Sequence, residues 1–416
     1  MAGTRAGAAA GTGAGQRPSG SVGRLHALDA LRGVAAAVVL VHHVSMTVPA
    51  ISEAYRSSRG VEFASVGWWA TLSPLKIVVA GPEFVLVFFV LSGFVLVRSP
   101  LGAVIRGNGY AWLAYYPRRV IRLALPVLVS ILLAGLWIAL VPRTGDPSAG
   151  PWLARQADAD LSLGNFLREA SIVGLAERPD VNPPLWSLVW EMWFSLLLPL
   201  FVVLALAMRG RRRVAFWALL LTAVATTGYV TGIEPLMFLP AFALGGLLAA
   251  HYDELRERGA ALARRPAGTA AWIGLTLLGP LLLILHWLLR QVLTGFWGDV
   301  TLSLRVPGAF LVVACVALWP VLQHPLTTRP LLWLGRVSFS LYLVHFPIVV
   351  TFATLFGPER WWLGALCSVP LSLVFAQLMT RWVEQPAQRL GVRAGEAVSG
   401  AFGRSHPEQN RPAPGL

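Results

Sequence analysis

Charge is scarce in this chain. Only 13% of its 416 residues are Asp, Glu, Lys or Arg, about half of the roughly 25% that a soluble domain carries. Mean hydropathy is +0.64 and 56% of residues are hydrophobic, which excludes an ordinary soluble globule and makes the bilayer the expected solvent. Lysine is nearly missing: Lys76 stands alone, and arginine supplies the rest of a net charge of +14. The arginines fall in short clusters between apolar runs, not along one face or tail, so the charge reads as membrane topology and not as nucleic-acid binding. Cysteine is limited to Cys315 and Cys367. Both lie in apolar stretches without metal or redox spacing, so neither a disulfide framework nor a zinc site is indicated. H-E-x-x-H, Walker A and G-x-G-x-x-G patterns are also missing, which lowers metalloprotease, nucleotidase and dinucleotide-binding readings.

What is present is a series of about ten apolar segments, at 27–48, 77–97, 119–141, 185–207, 213–232, 235–250, 270–289, 303–321, 331–355 and 361–383. Each approaches the roughly 20 residues needed to cross roughly 30 Å of hydrocarbon. The expected fold is all-α, a polytopic membrane bundle over 24–390, between disordered cytoplasmic tails at 1–23 and 391–416. The fifth and sixth segments nearly touch, so their limits are the least defined. Arginines gather before the first segment and in every second loop, including Arg98 and Arg106, then Arg209, Arg211, Arg212 and Arg213, then Arg256, Arg258, Arg264 and Arg265. The long loop 142–184 mixes Arg143, Arg155, Arg168 and Arg178 with Asp146, Asp158, Asp160, Glu169, Glu177 and Asp180, as an outside loop does. The positive-inside rule then places both termini in the cytoplasm of a multi-pass protein of the cell membrane.

Ionisable residues inside such segments are expensive, about 2.5–3.5 kcal/mol for Arg or Asp at a helix centre, and need an interior partner or a wet cavity. The first segment reads LDALRGVAAAVVLVHHV over 28–44. Arg32 and His43 are eleven residues apart, so they lie about 20° apart in azimuth and about 16 Å apart along the axis, on one face. His42 points about 80° away from Arg32, and Asp29 sits one turn below it. Arg32 is equally well read as an anchor at the membrane boundary. Glu191 stands in PPLWSLVWEMWFSLLLPLF, 183–201, where it needs a partner. It would orient or charge-balance a histidine or an arginine from another helix, or form a structural ion pair with Arg32. Arg118, Arg119 and Arg122 open the third segment, and Arg118 and Arg122, four apart, stack on one face. Guanidinium forks match phosphate, so the group suits an anionic phosphorylated donor, though topology explains the first two equally well. In FFVLSGF, 88–94, Ser92 and Gly93 allow close helix packing. Ser92 lacks the G-x-S-x-G context of a nucleophile. LGRVSFSLYLVHFPIV, 334–349, carries Ser338, Ser340, Tyr342 and His345, polar groups that suggest a cavity wall.

Taken in order, these segments resemble the acyltransferase-3 family of integral membrane proteins, over roughly residues 26–390. The resemblance rests on Arg32 and His43 with ten residues between them, on FFVLSGF, on the arginines running into Arg122-Leu-Ala-Leu-Pro126, on PLWSLVWE with Glu191, on LGRVSFSLYLVHFP, and on Glu384-Gln385-Pro386. It selects His43 over His42. Relatives often carry an acid shortly before FFVLSG; here Leu86 stands there and Glu83 is the nearest acid. The resemblance implies transfer of an acetyl or other short acyl group from acyl-CoA, a substrate and not a tightly bound cofactor, to a carbohydrate or glycosylated small molecule. Such relatives act on polysaccharides, lipid-linked sugars, peptidoglycan or glycosylated antibiotics, and the arginine-rich composition suits a high-GC bacterium. His43 is then the expected base, with Glu191 or Asp29 holding its tautomer and Arg32 positioning the donor or balancing charge. Arg118, Arg119 and Arg122 would dock the coenzyme A phosphates, while Ser92, Tyr342 and His345 would line the substrate cavity. A secondary transporter, which also buries Arg, His and Glu, is the rival reading.

Overall fold

A computed structural model describes residues 19–403, apart from 144, 146, 158, 175–178 and 211–212. Most of the expected N-terminal tail, residues 404–416, and Asp146, Asp158, Glu177, Arg178, Arg211 and Arg212 of the loops lie outside the described residues. Among the described residues every element is helical and no strand forms. The physical reason is the solvent: hydrocarbon offers nothing to backbone N–H and C=O groups, so runs of Leu, Val, Ala and Phe close their bonds within helices.

In chain order the long helices are α1 Ser19–Met46, α2 Gly81–Ile105, α3 Trp112–Leu140, α4 Trp186–Leu196, α5 Leu198–Ala207, α6 Val214–Thr231, α7 Glu234–Ala250, α8 Tyr252–Ala263 and α9 Gly268–Leu289. They continue as α10 Phe296–Leu318, α11 Arg329–Phe356, α12 Trp361–Met379 and α13 Gln385–Gly403. Among the described residues eight stretches are long and apolar enough to cross a membrane, or ten if the bent pairs α4–α5 and α7–α8 each count as one span. The protein is a multi-pass membrane helix bundle.

Three differences from the sequence expectation have clear causes. The expected span 185–207 is broken, with α4 and α5 bent by 67°. Pro199 lacks the N–H that would bond the Ser195 carbonyl and its ring crowds it. The freed acceptors are taken by α3, whose Tyr115 hydroxyl donates to the Ser195 carbonyl and Tyr116 hydroxyl to the Leu196 carbonyl, both at 3.2 Å. The third span begins at Trp112, well before 119, so the arginines at 118, 119 and 122 ride inside a helix. The expected C-terminal tail is helical through Gly403. Gly391 and Gly395, one turn apart, are buried against Arg118 of α3.

Helix crossings set the level of the polar groups. A Cβ on Gly33 of α1 would lie 2.5 Å from the backbone N of Gly335 on α11, and one on Gly335 would strike the Asp29 carbonyl. The two backbones therefore touch, as small residues allow in membranes. From that crossing both helices climb ten residues in the same direction, about 15 Å, to His43 and His345. Gly93 of FFVLSGF likewise lies against the Phe242 carbonyl of α7, which is the close packing expected of the Ser-Gly pair. The end of the bundle where α1 begins is here called the basic end and the opposite one the histidine end.

At the histidine end the long loop is tied down by one acid. The Glu169 carboxylate accepts backbone N–H groups of Asp180, Val181 and Asn182 at 2.8–3.3 Å. Burial nonetheless pushes its carboxyl above the ordinary range. The Asn182 amide then donates to the Leu343 carbonyl at 2.9 Å, fixing Pro183 and Pro184 over α11.

Candidate active site

His43 and His345, 302 residues apart in sequence, meet with His43 Nδ1 2.9 Å from His345 Nε2. His345 Nδ1 lies 2.9 Å from the Leu341 carbonyl one turn back. A carbonyl only accepts, so His345 carries its proton on Nδ1 and its Nε2 presents a lone pair. His43 therefore donates from Nδ1, and its own Nε2 is left with a lone pair. Two neutral imidazoles in series thus fix the tautomer of His43 without any acid. His43 borders a chamber of about 130 Å³ lined also by His42, Gly81, Trp152, Pro184, Tyr342 and Phe346. His42 orients the same way: its Nδ1 faces the Val79 carbonyl at 2.9 Å, and its ring centroid is 5.1 Å from that of His43.

The acids expected to hold His43 are elsewhere. Asp29 is exposed at the basic end, fourteen residues and about 21 Å along α1 from His43. Glu191 is bound by Arg119, Nη2 to Oε1 at 2.6 Å, with the Ser92 hydroxyl donating at 3.4 Å. Arg119 in turn donates from Nε to the Ser195 hydroxyl at 2.8 Å. The partner of Glu191 is thus neither His43 nor Arg32.

The same contact divides the three arginines proposed for phosphate. Successive helical residues point about 100° apart, so α3 buries Arg119 against Glu191 and leaves Arg118 exposed beside α13. Arg122, half-buried, lies within electrostatic reach of Arg119, Arg32, Glu384 and Glu191. Three guanidiniums facing two carboxylates leave this interior cluster with an excess of one positive charge. Glu384, from the Glu-Gln-Pro motif, accepts from the Ser340 hydroxyl at 2.7 Å and from the Gln388 amide at 3.1 Å. Glu384 has no role in the sequence expectation, although an acid directly after the last apolar segment, 361–383, was a visible signal.

Arg32, Ser92, Glu191 and Ser338 border a small cavity of about 30 Å³, room for about one water. It shares Val85 and Tyr342 with the histidine chamber, so the common face of Arg32 and His43 looks onto two adjacent compartments. Tyr342 forms the partition: its hydroxyl is 2.7 Å from the Ser187 hydroxyl and donates to the Pro184 carbonyl at 2.9 Å. Ser92, Tyr342 and His345 therefore all stand at or beside these cavities, but His345 touches His43 directly. Trp152, from the loop, caps the chamber with its ring 5.9 Å from that of His43; no pattern in the loop sequence singled it out. Among the described residues no three of His, Cys, Asp and Glu converge as a metal set.

Comparison with known proteins adds a family. A family model described as an acyltransferase domain matches residues 25–381. The acyltransferase MdmB of Streptomyces mycarofaciens is 28% identical over 358 residues, covering 82% of this chain and 86% of that protein. The O-acetyltransferase OatA of Staphylococcus aureus is 23% identical over 331 residues, which cover 74% of this chain but only 52% of OatA. No solved structure matches the chain.

Proposed function

This chain belongs to the acyltransferase-3 family and is an O-acyltransferase, and from that premise we propose that it moves an acetyl or other short acyl group from acyl-CoA to a hydroxyl of a carbohydrate or glycosylated small molecule. The transporter reading falls with the family assignment. The observation that carries the proposal is the pair of imidazoles, because it leaves His43 Nε2 free as a base at the wall of a chamber.

In this reading His43 Nε2 takes the proton of the acceptor hydroxyl as its oxygen attacks the thioester carbonyl carbon. The C–S bond of the tetrahedral intermediate then breaks, and the coenzyme A thiolate receives that proton from His43. The products are the ester and free coenzyme A. His345 is a positioning residue: its Nε2 lone pair keeps accepting from His43 Nδ1–H when His43 becomes an imidazolium. Arg32, about 16 Å along α1 from His43, is too far to meet the carbonyl, so it belongs with Arg122 on the anionic part of the donor. Arg118 serves at the rim of that dock. Arg119 supports it indirectly by holding Glu191. Ser92 and Tyr342 line the route of the pantetheine arm, which passes when the Tyr342 contact to Ser187 opens. The clustered arginines, through the positive-inside bias, support a basic end and termini that face the cytoplasm, where acyl-CoA resides. The acceptor arrives from the other side or from the membrane.

Purified protein in lipid nanodiscs, assayed for acceptor-dependent release of coenzyme A thiol, tests this. His43→Ala is expected to lower the rate by about 10²–10⁴-fold, the usual worth of a positioned base, with its melting temperature kept. A folded His43→Ala protein that transfers at full rate would refute the assignment.

A further inference from the structure

Beside the histidine chamber lies a larger groove of about 590 Å³, within the range of about 300–1,000 Å³ typical of small-molecule sites, and lined by Trp186, Trp190, Trp193, Phe238 and Glu234. The three tryptophans fall at i, i+4 and i+7 on α4, one stripe of a helix. Phe238 and Glu234, one turn apart on α7, face them. The indoles are held in place. The Trp186 and Trp190 rings contact Phe238 at centroid distances of 5.2 and 5.4 Å, and Trp193 Nε1 donates to the Val173 carbonyl at 3.2 Å. Trp186 and Pro183 belong to both this groove and the chamber of His43.

A belt of tryptophans at the membrane surface is the ordinary explanation of such residues. It does not account for a concave arrangement, for an acid within the lining, or for a wall shared with the reaction chamber. Indole faces receive the apolar C–H face of a sugar ring, and a carboxylate accepts from its hydroxyls. The rest of the lining, Val173, Val189, Pro179 and Pro183, offers no polar side chain for a second or third sugar.

We propose that this groove is the acceptor site and that it takes an amphipathic glycoside, one sugar ring on an apolar aglycone. The sugar lies against Trp186 and Trp190, with one hydroxyl directed past Trp186 to His43, and the aglycone runs along Trp193. Glu234 accepts from the remaining hydroxyls. This rests on the acyl-transfer reading for its purpose but not for its test, since binding needs no chemistry.

The test is equilibrium binding of phenyl β-glucoside, glucose and chitotetraose to the full chain in nanodiscs, in the wild type and in His43→Ala. Phenyl β-glucoside is expected to bind both alike, and glucose roughly tenfold more weakly for lack of the aglycone. Trp190→Ala is expected to weaken the glucoside roughly tenfold, the scale of one aromatic contact, and Trp190→Phe to restore most of it. Because Trp190 also touches Phe238, the exposed Glu234→Gln provides a variant that leaves the packing alone, and it too must weaken binding. Equal glucoside binding by wild type, Trp190→Ala and Glu234→Gln overturns the site. Tighter binding of chitotetraose than of the glucoside overturns the ligand class in favour of a polymer. A His43→Ala protein that binds the glucoside normally but still releases coenzyme A would sink the base assignment alone and leave the groove standing.

Discussion

Two groups of charges are buried in this bundle, and they are built to different ends. Near the histidine end Glu83 and Lys76 are both fully buried, 3.5 Å apart. Arg305 approaches Glu83 at 3.3 Å and the Trp287 indole donates to it at 2.9 Å. The Lys76 ammonium also lies 4.6 Å from the Trp287 ring and 5.4 Å from the Tyr55 ring. Burial pulls the Lys76 ammonium below its usual range, with the Glu83 carboxylate acting against that. Each charge there faces one of opposite sign, although Glu83 Oε2 makes no hydrogen bond, so the chain's single lysine is used as a lock between the Pro74–Val79 turn, α2, α9 and α10. Toward the basic end Arg119 and Glu191 are paired, but Arg32 and Glu191 also border a cavity, with Arg122 and Glu384 within electrostatic reach. Buried charge in hydrocarbon therefore does not by itself mark a functional site. Charge that borders a cavity is the better sign.

Three substitutions would sharpen or break this contrast. The largest effect is expected from Glu83→Gln, which leaves Lys76 and Arg305 as uncompensated buried cations at a cost of about 3–5 kcal/mol. Thermal unfolding in detergent should show a marked loss, independent of any substrate, and an unchanged melting temperature would mean that the Lys76–Glu83 group is not a lock. Glu191→Gln should cost less, about 1–3 kcal/mol for one lost partner of a buried group, while activity per folded molecule drops. If it destabilises as much as Glu83→Gln and spares activity, the two groups are alike after all. Arg122→Lys keeps the charge and loses the planar fork. It should leave unfolding unchanged and raise KM for acyl-CoA about tenfold, or about 1.4 kcal/mol, and an unaltered KM would remove Arg122 from the donor dock.

Parts of the site are legible in the residues alone. Helical arithmetic puts Arg32 and His43 on one face, and each borders one of two adjacent interior cavities. The small pair in FFVLSGF foretells a close crossing, found at Gly93. The partners are not legible. Arg119 and Glu191 are 72 residues apart, and nothing in Arg118-Arg119 says which of two adjacent side chains turns inward. The C-terminal stretch misleads for a related reason: glycine in 391–403 reads as disorder, yet Gly391 and Gly395 are where α13 approaches α3. Composition cannot tell a flexible glycine from one that makes room for a neighbour.

The sequence by itself determined residence in the bilayer, the all-helical class, a count of about ten spans against the eight to ten found among the described residues, and which face of α1 is polar. These follow from hydropathy and from a fixed rotation per residue, both local quantities. Tertiary structure decided that Glu191 answers Arg119, that Lys76 is sealed against Glu83, and that His345 fixes the tautomer of His43. Those outcomes depend on where helices distant in sequence cross and at what height. Contacts such as Gly33 on Gly335 set that, and one chain read alone carries no record of them.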